Sequence, residues 1–335
     1  MNPKWIIPAS FFGIVLGLVG LGDCWRAAGH AWGLPDIYSV IVMSSGFVVW
    51  AILAALYIAK WIWATDEALA ELRHPVQSCF IGLTGVATML AAIAIYDRYG
   101  NGPHWHALGI TLFVIGAVLQ IGYGILFTSR QWTGDRDLGA VSAAIYLPTV
   151  AGNFVAAFTA GFFGYPGLGK VFLGVGLFSW LALESVITKR LGFHNAMAKP
   201  LRPTMGIMLA PPVCACIGYL FVTGGPAGPR PDLFAQALFG YGLFVLLVLV
   251  AMFPWIAQQS FSASYWAFSF GITAVAFDAI VFVIRGQTGY INGLAVCLFV
   301  FANIAIGILV LGTLWRLVTG ALVPPPLNTT PRSGA

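Results

Sequence analysis

In a chain this apolar few residues can do chemistry, and the stretch Ser264 to Ile284 holds several of them. It contains Trp266-Ala267-Phe268-Ser269-Phe270-Gly271 and, eight residues after Phe270, the acid Asp278. A span that only anchors a protein needs neither a Phe pair beside a glycine nor a carboxyl group. An ionisable residue inside a span is a functional candidate by default, as a proton relay or a cation contact. The competing structural reading is a protonated or hydrogen-bonded Asp278 between helices. By the roughly 100° step of an α-helix, Phe270 and Asp278 point within about 80° of one another. An ionised carboxylate there would repel an anion and attract a cation.

Other apparent motifs are weaker. Gly164-Tyr165-Pro166-Gly167-Leu168-Gly169-Lys170-Val171 nearly spells a phosphate loop, but Val171 stands where magnesium binding needs Ser or Thr, so it reads as a hairpin turn. His104-Trp105-His106 offers two metal ligands with no acidic or Cys partner nearby, and Trp105 fits an interfacial aromatic belt. No metal site and no cofactor are expected. Glu184 is expected to pair with Lys189 at one end of its helix. No Ser-His-Asp, paired-carboxylate or Cys-His arrangement occurs at the usual spacings, which argues against an enzyme.

The elements that must position these residues follow from composition. Of 335 residues, 59% are hydrophobic and 8% are charged, against about 25% charged in a soluble domain. This is a polytopic membrane protein, and its net charge of +5 speaks to topology and surface lipid, not nucleic acid. Cys24, Cys79, Cys214, Cys216 and Cys297 lie in or beside apolar segments without a C-x-x-C pair, so all five are expected to be buried and apolar in character.

Apolar runs of bilayer length predict ten spans, near 5–28, 36–64, 77–97, 104–129, 141–164, 167–189, 203–223, 232–257, 264–285 and 289–320. They form one transmembrane pore domain over 1–322, and the Pro-rich tail 323–335 is expected to be disordered. The loops Asp66–Val76 and Gln131–Ala140 are too short to form domains. Lys4, Lys60, Arg73, Arg130, Arg136, Lys189, Arg190, Lys199, Arg202, Arg316 and Arg332 fall on the side shared by both termini. The other side has only Arg26, Arg98, Lys170, Arg230 and Arg285. By the positive-inside rule both termini are cytoplasmic.

Odd and even spans differ. Odd spans carry Gly or Pro inside or near the start: Gly13 and Gly17 after Pro8, Pro75 before Gly82 and Gly85, Pro148 with Gly152, Pro211 with Pro212, and Gly271. Even spans keep proline at their ends, as at Pro35, Pro103, Pro166 and Pro254. Bent backbone with freed carbonyls is tolerated in a protein interior or along a water path, and not against lipid. The alternation predicts five bent inner helices around an axis and five straight outer ones facing lipid.

Four segments carry a family resemblance: Phe11-Phe12-Gly13-Ile14-Val15-Leu16-Gly17-Leu18, Tyr146-Leu147-Pro148-Thr149-Val150-Ala151-Gly152-Asn153-Phe154, Thr204-Met205-Gly206-Ile207-Met208-Leu209-Ala210-Pro211 and Trp266-Ala267-Phe268-Ser269-Phe270-Gly271. They resemble the odd helices of the TehA-type tellurite-resistance and C4-dicarboxylate transporter family, to which the plant guard-cell slow anion channels belong. The resemblance covers about residues 5 to 320. It implies five helical hairpins in quasi-fivefold arrangement around a central pore, a homotrimer, and a pore plugged by a Phe of the ninth span. By motif the plug is Phe270, with Phe268 the lesser candidate and Gly271 beside it leaving the ring room to change rotamer. The inner helices around Gly13, Gly17, Pro148, Asn153, Thr204 and Pro211 would line the path. Val15 stands where the first helix of that family often has Pro, so this helix is expected to be straighter.

The expected function is a gated anion-selective channel of the bacterial inner membrane, passive for small monovalent anions such as chloride and nitrate or small oxyanions. The alternative is a proton-coupled secondary transporter or exporter of dicarboxylates, tellurite or toxic compounds, with Asp278 carrying the proton.

Overall fold

A computed structural model of the chain describes residues 5–99, 102–134, 139 and 141–325, with 97–99 described by their backbone alone. Lys4, Arg136, Arg332, the side chain of Arg98 and most of the tail expected at 323–335 lie outside the described residues. The described chain is helical throughout: α1 (Gly13–Trp32), α2 (Asp36–Trp63), α3 (Thr65–Arg73), α4 (Leu83–Tyr99), α5 (Pro103–Thr133), α6 (Gly152–Phe162), α7 (Pro166–Phe193), α8 (Ala210–Val222), α9 (Leu233–Ile256), α10 (Ser269–Ile284) and α11 (Tyr290–Val318). Among the described residues, all but α3, taken with the short segments that precede α1, α4, α6, α8 and α10, give ten helices long and apolar enough to cross a membrane. The expected spans match these in number and order. The segment Asp66–Val76, expected as a plain loop, instead contains α3.

Burial divides the ten as the alternation of Gly and Pro predicts. The odd spans are 78 to 94% buried and the even spans 22 to 39%. The inner helices pack in chain order, α1 on α4, α4 on α6, α6 on α8, α8 on α10, and α10 back on α1. Each outer helix packs on the inner helix of its own hairpin and on the inner helix that follows, α11 returning to α1. The outer faces carry large apolar side chains such as Ile52, Val118, Phe178, Leu247 and Leu311, as a lipid-facing surface requires. Cys297 lies on that exposed face of α11, so the expectation of five buried cysteines holds for Cys24, Cys79, Cys214 and Cys216 only.

What interrupts the inner helices is a change of helix type. All five begin in tight 3₁₀ geometry, at Ala9–Phe12, Gln77–Gly82, Ala143–Tyr146, Lys199–Leu209 and Ala263–Phe268, before continuing as α-helix. These starts pack on one another in the same closed order as the helices they lead into. Pro211 and Pro212 therefore sit in the first turn of α8, where a missing N–H costs nothing. Pro148 falls in a π-helical turn, Leu147–Ala151. The carbonyls this turn frees are taken by Gln120 of the outer helix α5, whose Nε2 donates to Pro148 O at 2.6 Å and to Leu147 O at 3.4 Å. Gly152 makes the approach possible, since any Cβ there would overlap the Gln120 amide.

Candidate functional site

The closed order of inner helices leaves an axis, and a cavity of about 40 Å³ lies on it where the 3₁₀ starts pass into α-helix. All five inner helices contribute to its wall, through residues such as Gly13, Leu16, Phe80, Leu147, Ile207 and Phe270. Among the described residues the wall has no Asp, Glu, Lys or Arg, and its polar side chains are Ser10, Ser264 and the indole of Trp266. That indole is turned away by its bond to Thr313 Oγ1 at 2.8 Å. Phe270 stays half-buried in the middle of its span because its ring meets this cavity. Its Cδ2 stands 3.6 Å from where a Cβ on Gly20 would be, so the ring reaches across towards α1.

The other expected site residues are placed as follows. Phe268 faces outward. Its ring packs against Gly206, pairs with Phe253 and Tyr265 at centroid distances of 6.4 and 6.5 Å, and borders a groove between α9 and α11. Gly271 is a packing contact, with Leu209 Cβ 2.8 Å from where its own Cβ would stand, and it faces that side chain rather than open space beside the Phe270 ring. Gly17 likewise admits Ser269 and Trp266 between α1 and α10. Pro148 lies behind the wall that its neighbours Leu147 and Ala151 form, and Pro211 is next to the wall residue Ala210. Asn153 and Thr204 are buried and spend their donors on the Thr149 and Leu201 carbonyls, each at 2.6 Å.

Asp278 is fully buried and borders neither this cavity nor the mouth described below. Among the described residues no donor reaches either oxygen with hydrogen-bond distance and angle, and the thiol of Cys216 on α8 stands close enough to interact with the carboxyl group. That thiol donates to Ala235 O of α9 at 3.5 Å. Four residues on, Phe282 packs against Phe239 of α9, so this face of α10 looks towards α8 and α9 and away from the axis.

Beyond the midplane a mouth of about 620 Å³ opens at the far ends of the inner helices. Arg26 and His30 of α1 line it, with Phe221 and Phe277 at its inner end. Arg26 bonds Asp23 at 2.7 Å and lies over the Phe162 ring at 5.2 Å. At its rim, Arg285 donates to Gly225 O at 2.8 Å, to Pro229 O at 3.2 Å and to Leu220 O, tying the loop after α8 to the end of α10. Phe158, Phe221 and Phe277 meet below the mouth in mutual ring contact at 4.5, 6.0 and 6.1 Å.

Two further groups escaped sequence reasoning. Glu184 does not pair with Lys189. Tyr146, Trp180 and Tyr241 donate to its carboxylate instead, Trp180 at 2.8 Å and Tyr241 at 3.5 Å, while Lys189 faces outward. On the terminus side, Glu71 of α3 accepts the Ala9 N–H at 2.7 Å, Lys60 Nζ at 2.9 Å and Tyr57 OH at 3.0 Å, and Lys60 also donates to Ile7 O at 3.2 Å. This strap holds the start of the first inner helix. The phenylalanine cluster did leave a sequence signal, since Phe277 follows Phe270 by seven residues and so returns to the same helix face.

Comparison with known proteins places this geometry. The voltage-dependent anion channel family matches residues 7–314. The chain is similar to the tellurite resistance protein TehA homolog of Haemophilus influenzae, 31% identical over 316 residues that cover 94% of this chain and 92% of that one. It is also similar to the guard cell S-type anion channel SLAC1 of Arabidopsis thaliana, 25% identical over 80% of this chain. The S-type anion channel SLAH3 of the same plant is 26% identical over 82%. The chain spans 48% and 42% of the length of these two plant relatives.

Proposed function

This chain belongs to the voltage-dependent anion channel family, and from that premise we propose that it is a gated, anion-selective channel plugged by Phe270. It conducts small monovalent anions such as chloride and nitrate passively, through a central pore framed by five hairpins in quasi-fivefold order. One observation carries the reading: the Phe270 ring meets an axial cavity that all five inner helices wall and that holds no charged side chain. Such a wall selects weakly. It favours anions by partial positive charge from backbone N–H groups and hydroxyls, and the cost of stripping water is least for large monovalent anions. An apolar ring across a passage this narrow blocks ions sterically and by dewetting.

The setting is the inner membrane of a bacterium with both termini cytoplasmic. The surplus of Lys and Arg on the terminus side supports that orientation. The protomers assemble as a homotrimer with one pore each, some of the exposed apolar surface of the outer helices serving as the interface.

The test is chloride and nitrate current through Phe270→Ala against the parent in voltage-clamped membranes. A large constitutive current, little changed by pH, is expected, and a variant that folds but stays silent overturns the plug. A second reading is favoured by the full burial of Asp278 without a donor. In it the protein is a proton-coupled carrier of dicarboxylates, tellurite or other toxic compounds, and Asp278→Asn abolishes a saturable flux. The channel reading expects Asp278→Asn to leave the current of Phe270→Ala unchanged.

A further inference from the structure

Faces of α1, α8 and α10 line both the axial cavity and the outer mouth. Gly13 of α1 returns as Gly20 and then as Ala27, which borders the mouth. Ala210 of α8 returns eleven residues later as Phe221, and Phe270 of α10 returns seven residues later as Phe277. At the roughly 100° step of an α-helix each of these intervals brings a side chain back to within about 20° of its starting direction, and the two successive steps from Gly13 to Ala27 to within about 40°. Ala151 and Phe158 of the third inner helix stand in the same relation. A path joining the cavity to the mouth therefore runs along these faces and meets Phe158, Phe221 and Phe277 on the way.

The three rings leave little room. They are 3, 4 and 3% exposed, their centroids form a triangle with sides of 4.5, 6.0 and 6.1 Å, and they come from three different inner helices. The mouth above them holds Arg26, His30 and the Phe162 ring. Aromatic rings carry a negative face and a positive edge, and the edge-on pairing of Phe158 with Phe221 and with Phe277 leaves edges as well as faces at the triangle.

We propose that Phe158, Phe221 and Phe277 form a second apolar barrier, in series with Phe270, which limits current and sharpens the preference for weakly hydrated anions once Phe270 has moved. The proposal rests on the channel reading. In a series arrangement Phe270 alone suffices to close the pore, whereas the triangle sets conductance and selectivity in the open state.

The test compares unitary conductance and the nitrate-over-chloride permeability ratio in Phe270→Ala, Phe277→Ala and the double variant, with size-exclusion profiles to confirm folding. Phe277→Ala alone is expected to remain silent. The double variant is expected to conduct about threefold or more above Phe270→Ala, with a permeability ratio closer to one. Phe221→Leu in the Phe270→Ala background reads the same barrier with less loss of packing, and it replaces the double variant if that does not fold. A double variant matching Phe270→Ala in both conductance and ratio overturns the second barrier and leaves the channel intact. Silence in every folded variant overturns the channel reading itself, and the barrier with it.

Discussion

Glu71 and Asp278 are both buried carboxyl groups, 1% and 0% exposed, and their surroundings could hardly differ more. Glu71 sits at the membrane edge with a backbone N–H, a phenol and an ammonium group directed at it. Asp278 sits in the middle of a span with no donor to either oxygen. Burying a charge is expensive unless partners replace the lost water. The Glu71 region supplies those partners and so fixes geometry: strap helix, second span and first inner helix meet at one carboxylate. The Asp278 region supplies none.

The largest expected effect tests the first half of that contrast. Glu71→Ala leaves Lys60 buried without its ion-pair partner, and the Ala9 N–H loses its acceptor. Breaking one side of a buried pair costs about 3–5 kcal/mol, so the thermal unfolding midpoint in detergent should fall sharply. The double replacement Lys60→Met with Glu71→Leu should recover part of the loss, because no lone charge is left behind. If Glu71→Ala unfolds at the parent's temperature, the strap holds nothing and the contrast collapses.

Asp278→Asn is expected to have a much smaller effect, within about 1 kcal/mol of the parent and in either direction, since no donor is orphaned by the change. The same melting experiment reads it. A loss as large as that of Glu71→Ala would mean that Asp278 is held by its surroundings as strongly as Glu71, and the contrast would be one of location only.

These two residues also show how far the sequence could be read. The ten spans, and their division into inner and outer helices, were legible because lipid imposes length and forbids bent backbone on the outside, so Pro and Gly mark the inner set. The motif around Phe270 singled out a residue that meets the axial cavity. The partners of Glu71 were not: Ala9 lies 62 residues away, and no local pattern announces a hydrogen bond across that separation. Glu184 failed for a related reason, since a Lys five residues on is visible in the chain while Tyr146 and Tyr241 are near it only in space. Asp278 was placed 80° from Phe270, but angle alone cannot say which neighbour lies there, and α8 and α9 occupy that direction instead of the pore. Helices buried all round show no hydrophobic face to orient by, so the preference for Phe270 over Phe268 rested on the motif alone, and their contacts add that Phe270 meets the axial cavity while Phe268 borders the groove between α9 and α11. The 3₁₀ starts left no signature either, because the fifth, Ala263–Phe268, adopts the same geometry as the others without any proline.

The finest test of the contrast lies one turn beyond Glu71. His74 ends the strap, and its Nδ1 accepts the N–H groups of Val76 and Gln77, both at 3.1 Å, where the second inner helix begins. The strap thus fastens the starts of two inner helices, one through Glu71 and one through His74. Burial pushes the imidazole below its ordinary value, against a smaller upward pull from Glu71. The folded protein therefore holds the proton less well than the unfolded chain, whose value is about 6.5. It follows that His74 leaves stability unchanged above that pH, and that stability declines as pH falls from there to the folded value. Protonation at Nδ1 would also remove the acceptor that both N–H groups use. Melting midpoints between pH 7.5 and 5 should show this decline in the parent, and a flatter profile in His74→Asn, whose side-chain oxygen can cap the same turn without titrating in this range. Glu71→Gln removes the upward pull and should move the onset of the decline little and its lower end further down. An unchanged profile in both variants would place the pH dependence elsewhere and leave Glu71 as the only fastening the strap provides.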